Sequence, residues 1–315
     1  MKERKVLLYV IVMITLSFLS SCAYEEVLKG TQVPQEISCE VRFSSNINNL
    51  APLSSRLIGE EWESGDEIGS YMFEKEGLII ADGKSNIRYI TEKGGYIGRF
   101  NAHNDAILLP EDGRKVRFMS YYPYKESIND GVYKIDVSNQ ISQKKLDFFY
   151  SFNSSATYDK SFDADKIPIV FKNQMSKIII NIRNGADLEG YHLMNMNVYL
   201  SGFSTNADFD LYTGKIKNYA EPSPIYPCVF IAGKGNVYRG EVVVIPTSDI
   251  SNAKIVIDLN NGNEHKESYI YTWNLNRAPE KGKRYTYDLT VSSTGITVNS
   301  SIHNWNSLIA QEEGS

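Results

Sequence analysis

Past residue 35, apolar side chains recur at every second position in short runs separated by Gly, Asn, Asp and Ser. Ile37, Cys39, Val41 and Phe43 alternate with Ser38, Glu40 and Arg42, which predicts a strand with one buried face. Similar runs follow at 68–73, 88–90, 96–100, 106–109, 116–122, 133–137 and 147–152. After a polar stretch at 154–166 they resume at 169–171, and Lys177–Ile182 brings consecutive isoleucines, as expected of a strand buried on both faces. Further runs cover 194–203, 209–211, 229–231, 238–245, 254–259, 267–273, 285–291 and 296–302. Strands this short, with turn residues at regular spacing, predict an all-β fold of two sandwiches in tandem, residues 36–163 and 164–315. Ser44 to Gly59 is small and polar and reads as a long exposed loop with Arg56 inside it.

The first residues follow another pattern. Lys2, Arg4 and Lys5 precede an apolar run from Val6 to Leu19 that is interrupted only by Tyr9, Thr15 and Ser17. At roughly 14 residues the run falls short of the about 20 needed to span a bilayer as a helix. A basic start, a short apolar core and small residues before a processing site describe an export signal over residues 1–21. Leu19-Ser20-Ser21-Cys22 resembles the lipobox of bacterial lipoproteins, which implies cleavage before Cys22 and lipid on its thiol. The alternative is an ordinary signal peptide with an incidental cysteine. Two or three acyl chains make a durable anchor, so residues 22–35 read as a lipidated segment attached to the outer membrane. Ala23-Tyr24-Glu25-Glu26 behind the cysteine resembles the surface-export signal of Bacteroides-group lipoproteins.

Charge is close to balance, 33 Lys plus Arg against 38 Asp plus Glu, and no basic stripe points to nucleic acid. Tyrosine is plentiful at 21 residues, which suits sheet faces where a ring packs and a hydroxyl stays wet. Cys39 and Cys228 either pair in an oxidising compartment or remain buried thiols. The four histidines (His103, His192, His265 and His303) show no metal-ligand spacing. Asp159, Asp163 and Asp165 lack the Gly and Glu of a calcium loop. The carboxylates around Trp62 read as a solvated turn rather than a glycosidase pair, and no nucleophile, phosphate or metal motif occurs. The expectation is no enzyme, no cofactor and no metal site.

Trp62-Glu63-Ser64-Gly65-Asp66-Glu67-Ile68-Gly69-Ser70-Tyr71-Met72 resembles the fimbrillin family of Bacteroides-group pilus proteins, whose pattern is W-x-x-G-D-x-I-G-x-Y-M. Other family-like pieces stand in order: Phe43-Ser44-Ser45, Ser55-Arg56, Phe118 with Tyr121-Tyr122-Pro123-Tyr124, Met175-Ser176-Lys177, Gly282 to Tyr287, Thr294 to Val298, and Trp305. The resemblance implies two transthyretin-like β-sandwich domains and delivery as an outer-membrane lipoprotein, followed by assembly with other fimbrial subunits at the cell surface for adhesion. It also implies that a trypsin-like protease cuts after a basic residue in an early loop. Here Arg56 is the candidate and Ile37, Cys39, Val41 and Phe43 mark the strand removed, leaving a groove for a neighbour's strand. A plain surface arginine is the alternative for Arg56. Host or bacterial surface ligands are the implied adhesion partners. The competing reading is a glycan-binding surface lipoprotein that stays anchored, with Trp62, Trp273 and Trp305 as possible platforms.

Overall fold

The computed structural model describes residues 40–47, 61–157, 167–188, 197–231, 237–258 and 270–304. Eighteen strands carry the fold and no α-helix occurs among the described residues. In the first half they are β1 (Phe43–Ile47), β2 (Glu67–Glu74), β3 (Ile87–Thr91), β4 (Ile97–Ala102), β5 (Lys115–Tyr122), β6 (Val132–Asp136) and β7 (Phe149–Thr157). The second half supplies β8 (Ile167–Asn173), β9 (Ser176–Asn184), β10 (Asn197–Ser201), β11 (Asn206–Asp210), β12 (Lys215–Lys217), β13 (Cys228–Ile231) and β14 (Val237–Val244). It ends with β15 (Lys254–Asp258), β16 (Ile270–Asn274), β17 (Lys283–Ser292) and β18 (Gly295–Asn304).

Seven strands form a closed barrel in the order β1-β4-β3-β2-β5-β7-β8. Closure comes from β1, antiparallel to β4 on one side and parallel to β8 on the other. Phe43, Ile68, Met72, Tyr89, Phe100, Phe118, Ile169 and Phe171 fill the interior. Each comes from the inward face of an alternating strand, as the side-chain period of two requires. β8 shows this plainly, with Ile167, Ile169 and Phe171 buried and Pro168 exposed between them. Pro168 lacks the N–H that a ladder needs, and the end of a strand is where that loss is tolerated.

In the second half a five-stranded sheet, β13-β14-β9-β17-β18, shares a core with the three-stranded sheet β10-β15-β16. Ile178, Ile180 and Ile182 of central strand β9 enter that core with Tyr287, Leu289, Leu200 and Ile255. The opposite face of β9 buries Ile179 among polar neighbours, with Lys177 3.5 Å from Glu241 and Asn181 bonded to Asp288 at 2.7 Å. One face of the isoleucine run is therefore apolar, while the other buries Ile179 between polar pairs.

A third sheet joins the two halves. β6 pairs antiparallel with β11, and β11 with β12, so strands 70 and more residues apart lie side by side. This sheet covers the outer face of the barrel wall, where Tyr71, Phe73, Met119 and Tyr121 pack with Tyr133, Ile135 and Phe209. β2 is thus buried on both faces along its central six residues. The boundary expected near residue 164 lies outside the described residues, but it assigns β8 to the second half. Hydrogen bonding puts β8 in the barrel, between β7 and β1. The run 106–109, expected as a strand, makes one bridge, Leu108 to Glu40, beside a bond from the Val41 N–H to the Ile107 carbonyl (2.8 Å).

Candidate functional site

β1 lies between β4 and β8, with Phe43 opposite both Phe100 and Ile167 and Ser45 opposite both Gly98 and Ile169. Val41, Phe43 and Ser45 point inward and are buried. The Phe43 ring meets Tyr89 edge-on at 4.8 Å and Phe118 at 5.4 Å. Full burial of Val41 and Phe43 contributes about 1.5–3 kcal/mol each before ordering costs.

The strand expected at 37–43 is described only from residue 40, and β1 extends past its expected end, from Phe43 to Ile47. Its alternation continues through Ser45, and small polar residues at 44–46 look like a loop when read singly. Val41 and Phe43 are the two expected inward residues that the structure describes. Ile37, Cys39, Cys22 and Arg56 lie outside the described residues. Cys228 is a free, half-buried thiol whose Sγ lies 3.7 Å from the Ile141 carbonyl oxygen.

The segment from Trp62 to Met72 is a packing device. Trp62 is 2% exposed and sits among Phe100, Tyr122, Phe149 and Phe171 inside the barrel. Its backbone exchanges bonds with Gly95 (3.0 and 2.8 Å), which explains the glycine pair at 94–95 as the floor under a tryptophan. Gly65 adopts φ +91°, a left-handed value that favours glycine. The Asp66 carboxylate accepts the Glu63 N–H at 2.7 Å and the Tyr122 hydroxyl at 3.1 Å. Gly69 lies against the Tyr121 ring, leaving no space for a Cβ. The Asp66 carboxylate therefore holds the turn, while Glu63 pairs with Lys144 and Glu67 with Arg88.

Two further polar places were not visible in the sequence. A crevice of about 510 Å³ on the barrel is lined by Glu67, Arg88, His103, Asp105, Tyr124 and Glu126. Arg88 pairs with Glu67 and lies 5.6 Å over the Tyr124 ring, and Lys84 meets Asp105 at 2.9 Å, so its charges largely neutralise one another. At the junction of the halves, burial pushes the Asp147 carboxyl up to about 7, against the opposing pull of Lys177, Lys144 and Asn173. Residues 143–146 before it form a 3-10 turn whose Lys144 reaches Glu63 at 2.7 Å. Among the described residues no group of three His, Cys, Asp or Glu is placed to hold a metal. Trp273, a possible ligand platform, packs half-buried against the second core.

The described residues form an all-β barrel joined to a sandwich, with aromatic side chains packed at its turns. The fimbrillin-like family matches residues 55–305, and the chain belongs to that family. It is a family of fimbrial structural and adhesion proteins rather than enzymes. A curated relative from Bacteroides uniformis, described as fimbrium subunit Fim1C, is 27% identical over 261 residues, 80% of this chain and 82% of its own. Among solved structures, a cell adhesion protein from B. uniformis superposes with a TM-score of 0.67 at 25% identity, covering 86% of this chain and 99% of that one. A second, from Bacteroides ovatus, gives 0.63 at 22% identity over 84% and 97% of the two chains and shares the fold.

Proposed function

We propose that this protein is a fimbrial subunit, delivered to the outer membrane as a lipoprotein through Cys22 and matured by a trypsin-like protease that cuts after Arg56. In this reading the cut removes the lipid and β1 together, and a strand from a neighbouring subunit takes the place of β1. The polymer then serves adhesion at the cell surface.

The observation that favours this reading most is the position of β1. It is a barrel strand that precedes residue 56 in the chain, and it makes the closing contacts to both β4 and β8. Losing it would uncover two rows of backbone donors and acceptors and an apolar slot once held by Val41 and Phe43. Such an edge is a template for another strand. The lipid would then be a stage of delivery.

Treatment of the purified full chain with trypsin, followed by electrophoresis in SDS without heating, tests the reading. The expected result is a ladder of polymers whose subunits begin at Leu57, with Arg56→Gln remaining monomeric. A chain that begins at Leu57 and stays monomeric refutes the polymerisation step.

A further inference from the structure

The inward positions at the start of the barrel, in and just before β1, are unequal. Val41 and Phe43 are apolar, but the third, Ser45, is fully buried and its hydroxyl has no hydrogen-bond partner. The other buried hydroxyls of the barrel are accommodated. Ser70 and Ser120 bond each other at 2.8 Å, Thr91 donates to the Lys93 carbonyl at 2.8 Å, and Ser154 donates to the Pro168 carbonyl. An unpaired buried hydroxyl forfeits its hydration and gains nothing in return. The surroundings of Ser45 also limit what could replace it. Its neighbour on β4 is Gly98, and a Cβ there would lie 2.7 Å from Cδ1 of the Trp62 ring, which fills the adjoining space.

We propose that Ser45 is a defect that makes β1 a replaceable occupant of the barrel, and that the strand replacing it presents alanine at this position. This rests on the strand replacement proposed above and adds the chemistry of the incoming partner. That partner is an extended segment of another fimbrial subunit, with apolar side chains at the positions of Val41 and Phe43. Two residues further on it carries a small apolar side chain, which fits beside Trp62 and has no hydroxyl to strand. The β1 contacts are strong enough to close the barrel during delivery, and the weakness lies at a single position where a competitor can do better.

The test uses the full chain with a specific protease site in place of Arg56, nicked after folding, with and without Ser45→Ala. Release of the β1 segment is followed by mass spectrometry in the presence of a synthetic peptide of residues 40–47 that carries alanine in place of Ser45. The expected result is release about tenfold slower from the Ser45→Ala protein, within the range an unpaired buried hydroxyl implies. The alanine peptide should also bind the vacated barrel about tenfold more tightly than the native peptide, and un-nicked Ser45→Ala should melt at a higher temperature. Equal release rates with equal peptide affinities overturn the role of Ser45 and leave strand replacement standing. A lower melting temperature for un-nicked Ser45→Ala also overturns it, by showing that the hydroxyl stabilises the barrel. If β1 never leaves either nicked protein, strand replacement fails and this proposal fails with it.

Discussion

Gln140 and Val243 bond each other as two paired strands would, although 103 residues separate them. The Gln140 side-chain amide donates to the Val243 carbonyl at 2.9 Å and accepts the Val243 N–H at 2.8 Å. β13 covers this edge of β14 only as far as Glu241, so one side chain continues the ladder past its end. Gln140 is buried, and the same nitrogen also donates to Val137 at 2.6 Å. Replacing Gln140 with alanine orphans both backbone groups of Val243 at once. At about 1–3 kcal/mol for each unsatisfied group, Gln140→Ala is expected to cost roughly 2–4 kcal/mol in urea unfolding. A loss below about 0.5 kcal/mol would show that this edge is solvated in solution.

Gly69 faces Tyr121 across the β2–β5 ladder, and the ring occupies the place of a Cβ. That ring cannot yield easily, because its hydroxyl donates to Asn86 at 2.6 Å and its edge packs against Tyr133 at 5.5 Å. Gly69→Ala is expected to destabilise the protein by about 1–3 kcal/mol through overpacking. Tyr121→Ala in the same chain should recover part of that loss. Denaturant titrations of both single variants and the double variant decide it, and additive losses would mean the two positions do not meet.

Much of this arrangement is legible in the amino-acid sequence. The glycines and aromatics between Trp62 and Met72 each answer a local need, so their spacing survives as a readable pattern. The isoleucines of β9 and the run at 169–171 in β8 mark strands that the structure holds, because burial acts on them directly. The far end of β1 is not legible, since Ser45 places a hydroxyl where the period of two asks for an apolar side chain. β12 leaves no signal in the sequence, because three residues, Lys215-Ile216-Lys217, are too short to show a period. Barrel closure depends on β1 meeting β8 more than 120 positions later in parallel, and no local pattern encodes such a pairing. The Asp147 environment is likewise assembled from Lys144, Asn173, Lys177 and Asp66, which the chain scatters.

Asp147 makes stability depend on pH. Its folded carboxyl titrates near 7 where an unfolded one titrates near 3.8, because burial disfavours the charge more than Lys177 and Lys144 favour it. Between those values the folded state holds the proton more often than the unfolded state, so stability falls as pH rises. The residue is only partly buried, which reduces the full linkage to roughly 1–2 kcal/mol lost between pH 4 and pH 7. Asp147→Asn keeps the shape and removes the titration. It should flatten this part of the stability profile and raise stability at pH 8. A profile identical to that of the wild type would assign the slope to other groups.

Phe43 decides whether the barrel can open without the rest of the protein. Its ring is buried against Tyr89 and Phe118, and its backbone lies between β4 and β8. Phe43→Ala removes a large core side chain at a cost of about 3–5 kcal/mol. The sandwich core around Ile180 and Leu289 shares no residue with the barrel core around Phe43. The loss should therefore appear first as faster amide exchange in β1, β4 and β8, while β9 and β17 keep their protection. That pattern would mean the first strand can be released from an otherwise folded subunit, as strand replacement requires. Exchange that rises equally in β9 and β17 would mean that the shared cluster of Tyr71, Phe73, Tyr133 and Phe209 couples the halves. Removing β1 would then unfold the subunit before any partner strand could dock.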